Sequence, residues 1–174
     1  GELKRHAGKN LALRINSPGG EVTEGIAIAN AIRRHAGKVT AHIDGIAASM
    51  ATYVALAAAE IKMAANAFFM IHNVSGLAMG DAKELRSYLS TMEKMNAVIV
   101  NAYVARTGKT EAEIESAMDD ETWLTAAEAK EWGFIDEITE PFAAAAQIDS
   151  DSIRAQLAKF KNLPAAFDSA KGNM

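Results

Sequence analysis

The stretch HIDGIAASMATYVALAAA, residues 42–59, joins a predicted β-strand to a helix through a turn of glycine and small residues. The strand is predicted at 38–43. The residues after Ser49 are almost all small or apolar, which is typical of a helix buried on most sides. Ala47 and Ala48 leave space around the serine hydroxyl, and the helix start presents unpaired backbone N–H groups that stabilise negative charge. We therefore predict that Ser49 is a nucleophile for acyl transfer, the alternative being an ordinary helix N-cap.

A glycine-rich turn, INSPGG at residues 15–20, lies upstream of this stretch. Pro-Gly-Gly after a strand makes a tight turn, and glycine allows another backbone to come close. Alone, the motif indicates no more than a strand-to-helix turn. Paired with Ser49, it predicts an oxyanion hole in which the backbone N–H groups of Gly20 and Met50 face each other.

His72 is the candidate general base because it ends the apolar run FFMIH, and catalytic groups gather at the carboxyl ends of parallel strands. The other three histidines lie in a strand or near helix ends, where structural roles are more usual. A third, acidic residue would orient the imidazole and stabilise its charged form. Asp119, Asp120 and Glu121 are the candidates, although three acids in a loop are also typical of a solvated surface.

Composition excludes several classes of function. The chain has 174 residues, of which 49% are hydrophobic and 23% charged, and this suits one globular domain. Its net charge of −4 gives no nucleic-acid footprint, and the absence of cysteine excludes disulfides and thiol chemistry. Since no apolar run is long enough to span a bilayer and no signal pattern opens the chain, we expect a cytoplasmic protein without membrane partners.

The alternation of strands and helices predicts an α/β domain with mostly parallel pairing. Three capping boxes, which begin at Asp81, Thr110 and Thr125, mark helix starts. The predicted helices cover 22–35, 49–59, 81–106, 111–118 and 125–132, and the predicted strands cover 11–15, 38–43, 61–64, 67–72 and 134–138.

The chain is expected to divide near residue 140. Residues 1–140 form the predicted domain, whose first residues resemble the tail of a helix and indicate that a preceding segment is missing. Residues 141–174 are expected to form a helical appendage, amphipathic over 152–161, and a loose tail after Pro164.

Four blocks occur in a recognisable order: LRINSPGGEVTEGIAIANAI, DGIAASMATYVALAA, AANAFFMIHN and DDETWLTAAEAKEWGFIDEI. With them, the chain resembles the Clp-type serine peptidases, which share a fold with crotonases, over about residues 11–138. The resemblance implies a spiral of β-β-α units with a protruding handle helix, and a polypeptide substrate bound as an added β-strand. It implies no metal or organic cofactor, and a homo-oligomeric ring that stacks on a second ring.

The same resemblance assigns roles to individual residues. The family's acid is an aspartate two positions before an aromatic, and the matching residue here is a glutamate. The implied nucleophile is Ser49, the implied base is His72, and the implied acid is Glu121, with Asp120 or Asp119 as alternatives. The implied oxyanion donors are the amides of Gly20 and Met50. The implied substrate-binding residues are Gly19, Asn73, Val74 and Ser75.

The predicted handle helix carries an apolar stripe that favours assembly between subunits. The alternative is that the stripe packs within one subunit. Its members are Leu85, Tyr88, Leu89, Met92, Met95, Val98 and Ile99.

Several functions stay open at this point. The ETWLTAAEA block and the tail favour the Clp-related head-maturation proteases of tailed bacteriophages, which cleave scaffold and capsid proteins inside the procapsid in the host cytoplasm. One alternative is a housekeeping proteolytic subunit fed by an ATPase. Others are a crotonase-type acyl-CoA enzyme, a Ser–Lys peptidase and an inactive scaffold-binding relative.

Overall fold

The computed structural model describes residues 5–141 and 150–164. Within these residues the chain forms six strands and six helices. The strands are β1 (Leu11–Ser17), β2 (Val39–Ala48), β3 (Glu60–Ala64), β4 (Phe68–Ile71), β5 (Thr122–Thr125) and β6 (Glu137–Thr139). The helices are α1 (Val22–Arg33), α2 (Met50–Ala55), α3 (Ala82–Thr107), α4 (Glu111–Asp119), α5 (Ala126–Glu131) and α6 (Ser150–Leu157).

All six strands belong to one curled sheet in the order β5-β4-β2-β3-β6, and β1 pairs with β2 beside this path. Every pairing is parallel except that of β4 with β5. The predicted α/β class and the Clp-type architecture are therefore confirmed. The antiparallel strand β5 was not predicted from the sequence.

Strand β2 is the centre of the sheet because it changes neighbours along its length. Residues 40–43 pair with β3, whereas residues 46–48 pair with β4. The register against β1 also shifts here, since Asn16 alone stands opposite three residues of β2. The side-chain oxygen of Asn16 fills the gap by accepting a hydrogen bond from the amide of Ile46 at 3.1 Å. This irregularity curls the sheet and separates its two halves.

The expected turn GIAAS, residues 45–49, is wrong over residues 45–48, because β2 continues to Ala48. Ala47 and Ala48 are fully buried, and their small side chains fit where β2 lies between β1 and β4. The following helix is shorter than predicted and ends at Ala55. The last strand also begins later than predicted, since Phe134 is used in the core, 4.8 Å from the ring of Phe69.

The three predicted capping boxes are present. The side chains of Asp81, Thr110 and Thr125 each accept a backbone N–H of their helix, and a glutamate three residues later bonds back. Helix α3 ends at Gly108, which has a left-handed backbone with φ of 72°. Such a helix end favours glycine because a Cβ is disfavoured in that conformation.

Helix α3 is a handle that leaves the domain. It has 26 residues, which corresponds to a length of about 39 Å. Residues 82–89 are all exposed, and the helix is buried only near its carboxyl end, at Ile99, Val100 and Tyr103. The predicted apolar stripe is thus divided: Ile99 packs within the subunit, whereas Leu89 is 56% exposed.

The chain beyond residue 141 returns to the domain. Helix α6 begins two residues earlier and ends four residues earlier than the predicted 152–161. Leu157 and Phe160 are buried in a small apolar cluster with Ile46, Ala48 and Met70. The predicted loose tail after Pro164 lies outside the described residues. The division into 1–140 and 141–174 stays a prediction.

Candidate active site

Three strand ends create the site. β1, β2 and β4 end at Ser17, Ala48 and Ile71, and their parallel pairing brings these ends to one edge of the sheet. The amide of Ser49 extends the pairing by donating to the carbonyl of Met70 at 2.9 Å. The residue that follows β2 and the residue that follows β4 are therefore neighbours in space.

Ser49 and His72 form a direct hydrogen bond. The Oγ of Ser49 lies 2.7 Å from Nε2 of His72. Ser49 has a backbone φ of 55°, which is rare for a residue with a side chain and is characteristic of strained functional positions. The sharp turn after β2 directs the Ser49 hydroxyl toward His72. The structure thus brings together the predicted nucleophile and base.

Two buried side chains, those of Thr52 and Tyr103, stabilise the strained turn at Ser49. The hydroxyl of Thr52 donates to the carbonyl of Ser49 at 2.5 Å, and it lies 2.6 Å from the hydroxyl of Tyr103. Thr52 and Tyr103 are almost fully buried, and burial raises the pKa of the Tyr103 phenol. Both hydroxyls therefore stay neutral hydrogen-bonding groups, and they tie the serine turn to α3.

The environment of His72 favours the neutral form of the imidazole. Burial lowers the pKa of His72 below its ordinary value, the charge of Glu121 opposes this effect, and the charge of Lys159 adds to it. At neutral pH the ring is mostly unprotonated, since even the ordinary pKa of histidine is about 6.5. A neutral Nε2 can accept the proton of the serine hydroxyl.

Antiparallel pairing places Glu121 beside His72. Ile71 of β4 pairs with Thr122 of β5. His72, which follows β4, and Glu121, which precedes β5, are therefore the next pair of neighbours across the two strands. The Glu121 side chain is buried, with 9% of the residue exposed, and its Oε1 accepts the amide of Asn162 at 2.7 Å. Within the described residues no hydrogen bond joins His72 to a carboxylate, so Glu121 acts on the ring through space.

The two alternative acids have other contacts. Asp119 accepts a hydrogen bond from Nδ2 of Asn73 at 2.6 Å. Asp120 lines a separate groove with Lys109 and Trp132. Glu121 is the acid of the three whose charge raises the pKa of His72.

The Pro-Gly-Gly turn packs directly on the serine turn. Gly19 has a φ of 96°, and a Cβ built there would lie 2.7 Å from both the carbonyl oxygen of Ala48 and the Cβ of Ser49. Gly20 has open space around its Cα. Gly20 and Met50 line the cleft that contains Ser49. In the part of the chain that the structure describes, neither of their amides has a hydrogen-bond acceptor.

The segment after His72 forms the other wall of the cleft. Asn73, Val74 and Ser75 all line it. Its backbone is fixed by Asn96 of α3, whose Oδ1 accepts the amide of Val74 at 2.8 Å and whose Nδ2 donates to Oδ1 of Asn73 at 2.9 Å. The handle helix therefore holds Asn73 and Val74, two of the residues predicted to bind substrate, in place.

Sequence reasoning missed two parts of the site. The first is a face of α3 that carries Asn96, Ile99 and Tyr103 at helical spacing. Asn96 is a polar residue on this otherwise apolar face, and that position could have indicated a specific hydrogen-bonding role. The second part is the chain around Phe160, whose ring lies edge-on to the His72 ring with centroids 5.3 Å apart. No local motif marks that contact.

Two other kinds of feature are absent from the described residues. No three of their His, Cys, Asp or Glu side chains are arranged to hold a metal ion. None of their helices combines the length and the apolar character that crossing a membrane requires.

Comparison with known proteins agrees with this geometry. The model of the family described as Clp protease matches residues 3–142. The ATP-dependent Clp protease proteolytic subunit 1 of Protochlamydia amoebophila (strain UWE25) is 38% identical over 139 residues, which cover 78% of this chain and 68% of that protein. The family match covers most of the chain, and the sequence identity to this relative supports the same assignment. The chain belongs to the Clp protease family, a family of peptidases.

Proposed function

We propose that this protein is a serine endopeptidase that cleaves peptide bonds through an acyl-enzyme on Ser49. The hydrogen bond of 2.7 Å between Ser49 and His72 supports the proposal most directly. It joins a nucleophile to a base within proton-transfer distance, in a chain of a peptidase family.

In the first step His72 takes the hydroxyl proton while Oγ of Ser49 forms a bond to the substrate carbonyl carbon. The carbonyl oxygen becomes negative and is stabilised by the amides of Gly20 and Met50, which both line the cleft. The C–N bond then breaks, and His72 gives its proton to the leaving amine. The acyl group remains as an ester on Ser49.

In the second step water replaces the amine. His72 takes a proton from water, the hydroxide oxygen bonds to the acyl carbon, and the proton returns to Oγ of Ser49 as the ester breaks. Glu121 is the proposed acid of the triad, because its charge favours the protonated imidazole that both steps form. It acts through space, and its carboxylate is oriented by Asn162.

The substrate is proposed to bind as an extended strand along residues 73–75. The amide of Val74 is already bonded to Asn96. In an extended chain consecutive amides point to opposite sides, so Asn73 and Ser75 are the residues whose main-chain groups face a substrate. Pro18 and Gly20 line the opposite side of this cleft, whereas Gly19, the other residue expected to bind substrate, lines the neighbouring groove. Main-chain pairing of this kind gives affinity with little side-chain selectivity.

Two alternative chemistries are less well supported. A crotonase-type acyl-CoA enzyme has no use for a serine bonded to a histidine. A Ser–Lys peptidase requires a lysine as the base, and in this structure the partner of the Ser49 hydroxyl is His72.

We also propose that the exposed half of α3 joins subunits of a homo-oligomeric ring assembly. Leu85, Tyr88 and Leu89 are 43%, 39% and 56% exposed on its protruding part. Leu77 and Met79, in the segment before α3, are about nine-tenths exposed. Large apolar side chains that are exposed together on a protruding helix are typical of an interface.

Two biological settings fit this activity. The name of the Protochlamydia relative, an ATP-dependent proteolytic subunit, favours a subunit that works with an ATPase. The ETWLTAAEA block at residues 121–129 and the chain beyond residue 141 favour the processing of scaffold or capsid proteins in a phage head.

Replacing the nucleophile tests the chemistry. Ser49→Ala is expected to lower kcat/KM for an unstructured fluorogenic peptide by on the order of 10³-fold or more, because no acyl-enzyme can form. His72→Ala is expected to cause a similar loss. The matched control is Ser116→Ala, on the exposed face of α4, which should retain wild-type rates. Undiminished hydrolysis by Ser49→Ala would contradict the proposal.

The approach of the two turns is testable with a pair of glycine variants. In Gly19→Ala the new Cβ meets Ala48 and Ser49 and requires a disfavoured φ, so the amide of Gly20 moves away from the oxyanion position. We expect a loss of about 100-fold in kcat. Gly20→Ala keeps its amide and meets no atom, so its loss should be much smaller. Equal kinetics for the two variants would argue against this oxyanion hole.

A charge on the handle tests the proposed assembly. Leu89→Asp places a carboxylate in the exposed apolar surface of α3, and native mass spectrometry should then detect smaller species than for the wild type. Ala112→Asp places the same charge at the exposed start of α4 and should leave the assembly unchanged. If wild type and Leu89→Asp have the same mass distribution, α3 is not the subunit contact.

The two settings differ in their need for ATP. A proteolytic subunit that works with an ATPase should degrade a stably folded protein only when a Clp unfoldase and ATP are added. A head-maturation protease should cut a phage scaffold protein without nucleotide. Measuring both reactions by gel, with Ser49→Ala as the blank, shows which substrate the wild type accepts.

A further inference from the structure

The chain beyond the family match lies against the proposed catalytic residues. The family model ends at residue 142, yet residues 157–163, here called the covering segment, contact the site directly. Leu157 and Phe160 anchor the segment, because they are buried with Ile46, Ala48 and Met70 where β2 and β4 end. The segment thus rests on the same two strands that carry Ser49 and His72.

The first contact is between two rings. Phe160 is 8% exposed, and its ring meets the His72 ring edge-on at 5.3 Å and the Trp123 ring at 5.8 Å. Edge-to-face packing of this kind fixes ring orientation. It restricts rotation of the imidazole and covers the side of the ring that would otherwise face water.

The second contact is with the acid. The amide of Asn162 donates to Oε1 of Glu121 at 2.7 Å, and the side-chain Nδ2 of Asn162 donates to the carbonyl of Asp120 at 2.7 Å. The backbone of Glu121 is itself in the left-handed region, with φ of 49°. The covering segment therefore holds both the carboxylate of Glu121 and the strained turn that carries it.

We infer that the covering segment is a built-in positioning element for the peptidase reaction: Phe160 orients His72, and the amide of Asn162 orients Glu121. Neither residue touches the substrate, so both act through the proposed triad. The inference rests on the proposed function, since it assigns a role to residues that hold the base and the acid. It also explains how a glutamate can serve at this position: a longer side chain needs an additional contact to fix it.

The charges around His72 and its burial determine how the pKa of the imidazole should change when Phe160 is replaced. Glu121 and Lys159 act on the ring directly, with opposite signs, and Asp119 and Lys161 line the same hollow. Phe160 carries no charge, so replacing it leaves the charges around His72 unchanged and reduces the burial of the ring. Removing that burial raises the pKa of the imidazole toward its ordinary value. The acid limb of the pH profile of kcat/KM should then move to higher pH.

The test uses the full chain with two pairs of variants and the fluorogenic peptide. Phe160→Ala is expected to lower kcat by about 10- to 100-fold and to move the acid limb to higher pH, whereas Phe160→Leu keeps an apolar cover and restores most of the rate. Asn162→Pro removes the amide donor and is expected to lower kcat similarly. Asn162→Ala keeps that donor, so its loss should be about threefold or less. The chemical denaturation midpoint of each variant shows whether the loss of rate is a loss of fold.

The outcomes separate this inference from the proposed function. If Ser49→Ala abolishes activity while Phe160→Ala and Asn162→Pro keep wild-type kcat and pH limbs, the positioning role is wrong and the serine mechanism stands. A higher kcat in either variant would also overturn the inference, because the segment would then restrain the site. If both variants lose rate only in proportion to lost folded protein, with the acid limb unmoved, the segment is merely structural.

Discussion

The site depends on how β2 ends beside β4. One backbone hydrogen bond, from the amide of Ser49 to the carbonyl of Met70, fixes the serine turn next to the strand that delivers His72. That bond exists because β2 leaves β3 after residue 43 and pairs with β4 over residues 46–48. The register irregularity at Asn16 makes this exchange possible. A regular β2 that stayed beside β3 would carry Ser49 away from the histidine.

Backbone strain is concentrated where the chemistry is proposed. Among the described residues other than glycine, only Ser49 and Glu121 have positive φ. Conformations of this kind cost on the order of 1–3 kcal/mol each and persist when surrounding contacts hold them. Thr52 holds the first turn and Asn162 holds the second. These contacts thus stabilise two strained turns, one that carries the hydrogen-bond partner of His72 and one that carries the acid whose charge acts on it.

The sequence predicted the parts of this arrangement that are local. Capping boxes gave the helix starts, and small residues around Ser49 indicated an accessible hydroxyl. Pairing between distant segments was harder to foresee. β5 is only four residues long, and without its antiparallel pairing the three acids before it could not be distinguished by spacing; the family resemblance alone pointed to Glu121.

The contacts from the chain's far end were beyond prediction for a related reason. Phe160 and Asn162 lie about 40 positions beyond Glu121 in the sequence and about 90 beyond His72. An amphipathic stretch predicts a helix, but periodicity does not say which surface the helix covers. The family resemblance gave no guide either, because the family match ends at residue 142.

Covalent trapping of the wild-type protein tests the central claim most directly. A fluorophosphonate reacts with a serine whose hydroxyl is activated by a neighbouring base, and peptide mass spectrometry locates the adduct. The account predicts one phosphonylated residue, Ser49, with the rate of modification greatly reduced in His72→Ala. An adduct on a different serine, with Ser49 unmodified, would contradict it.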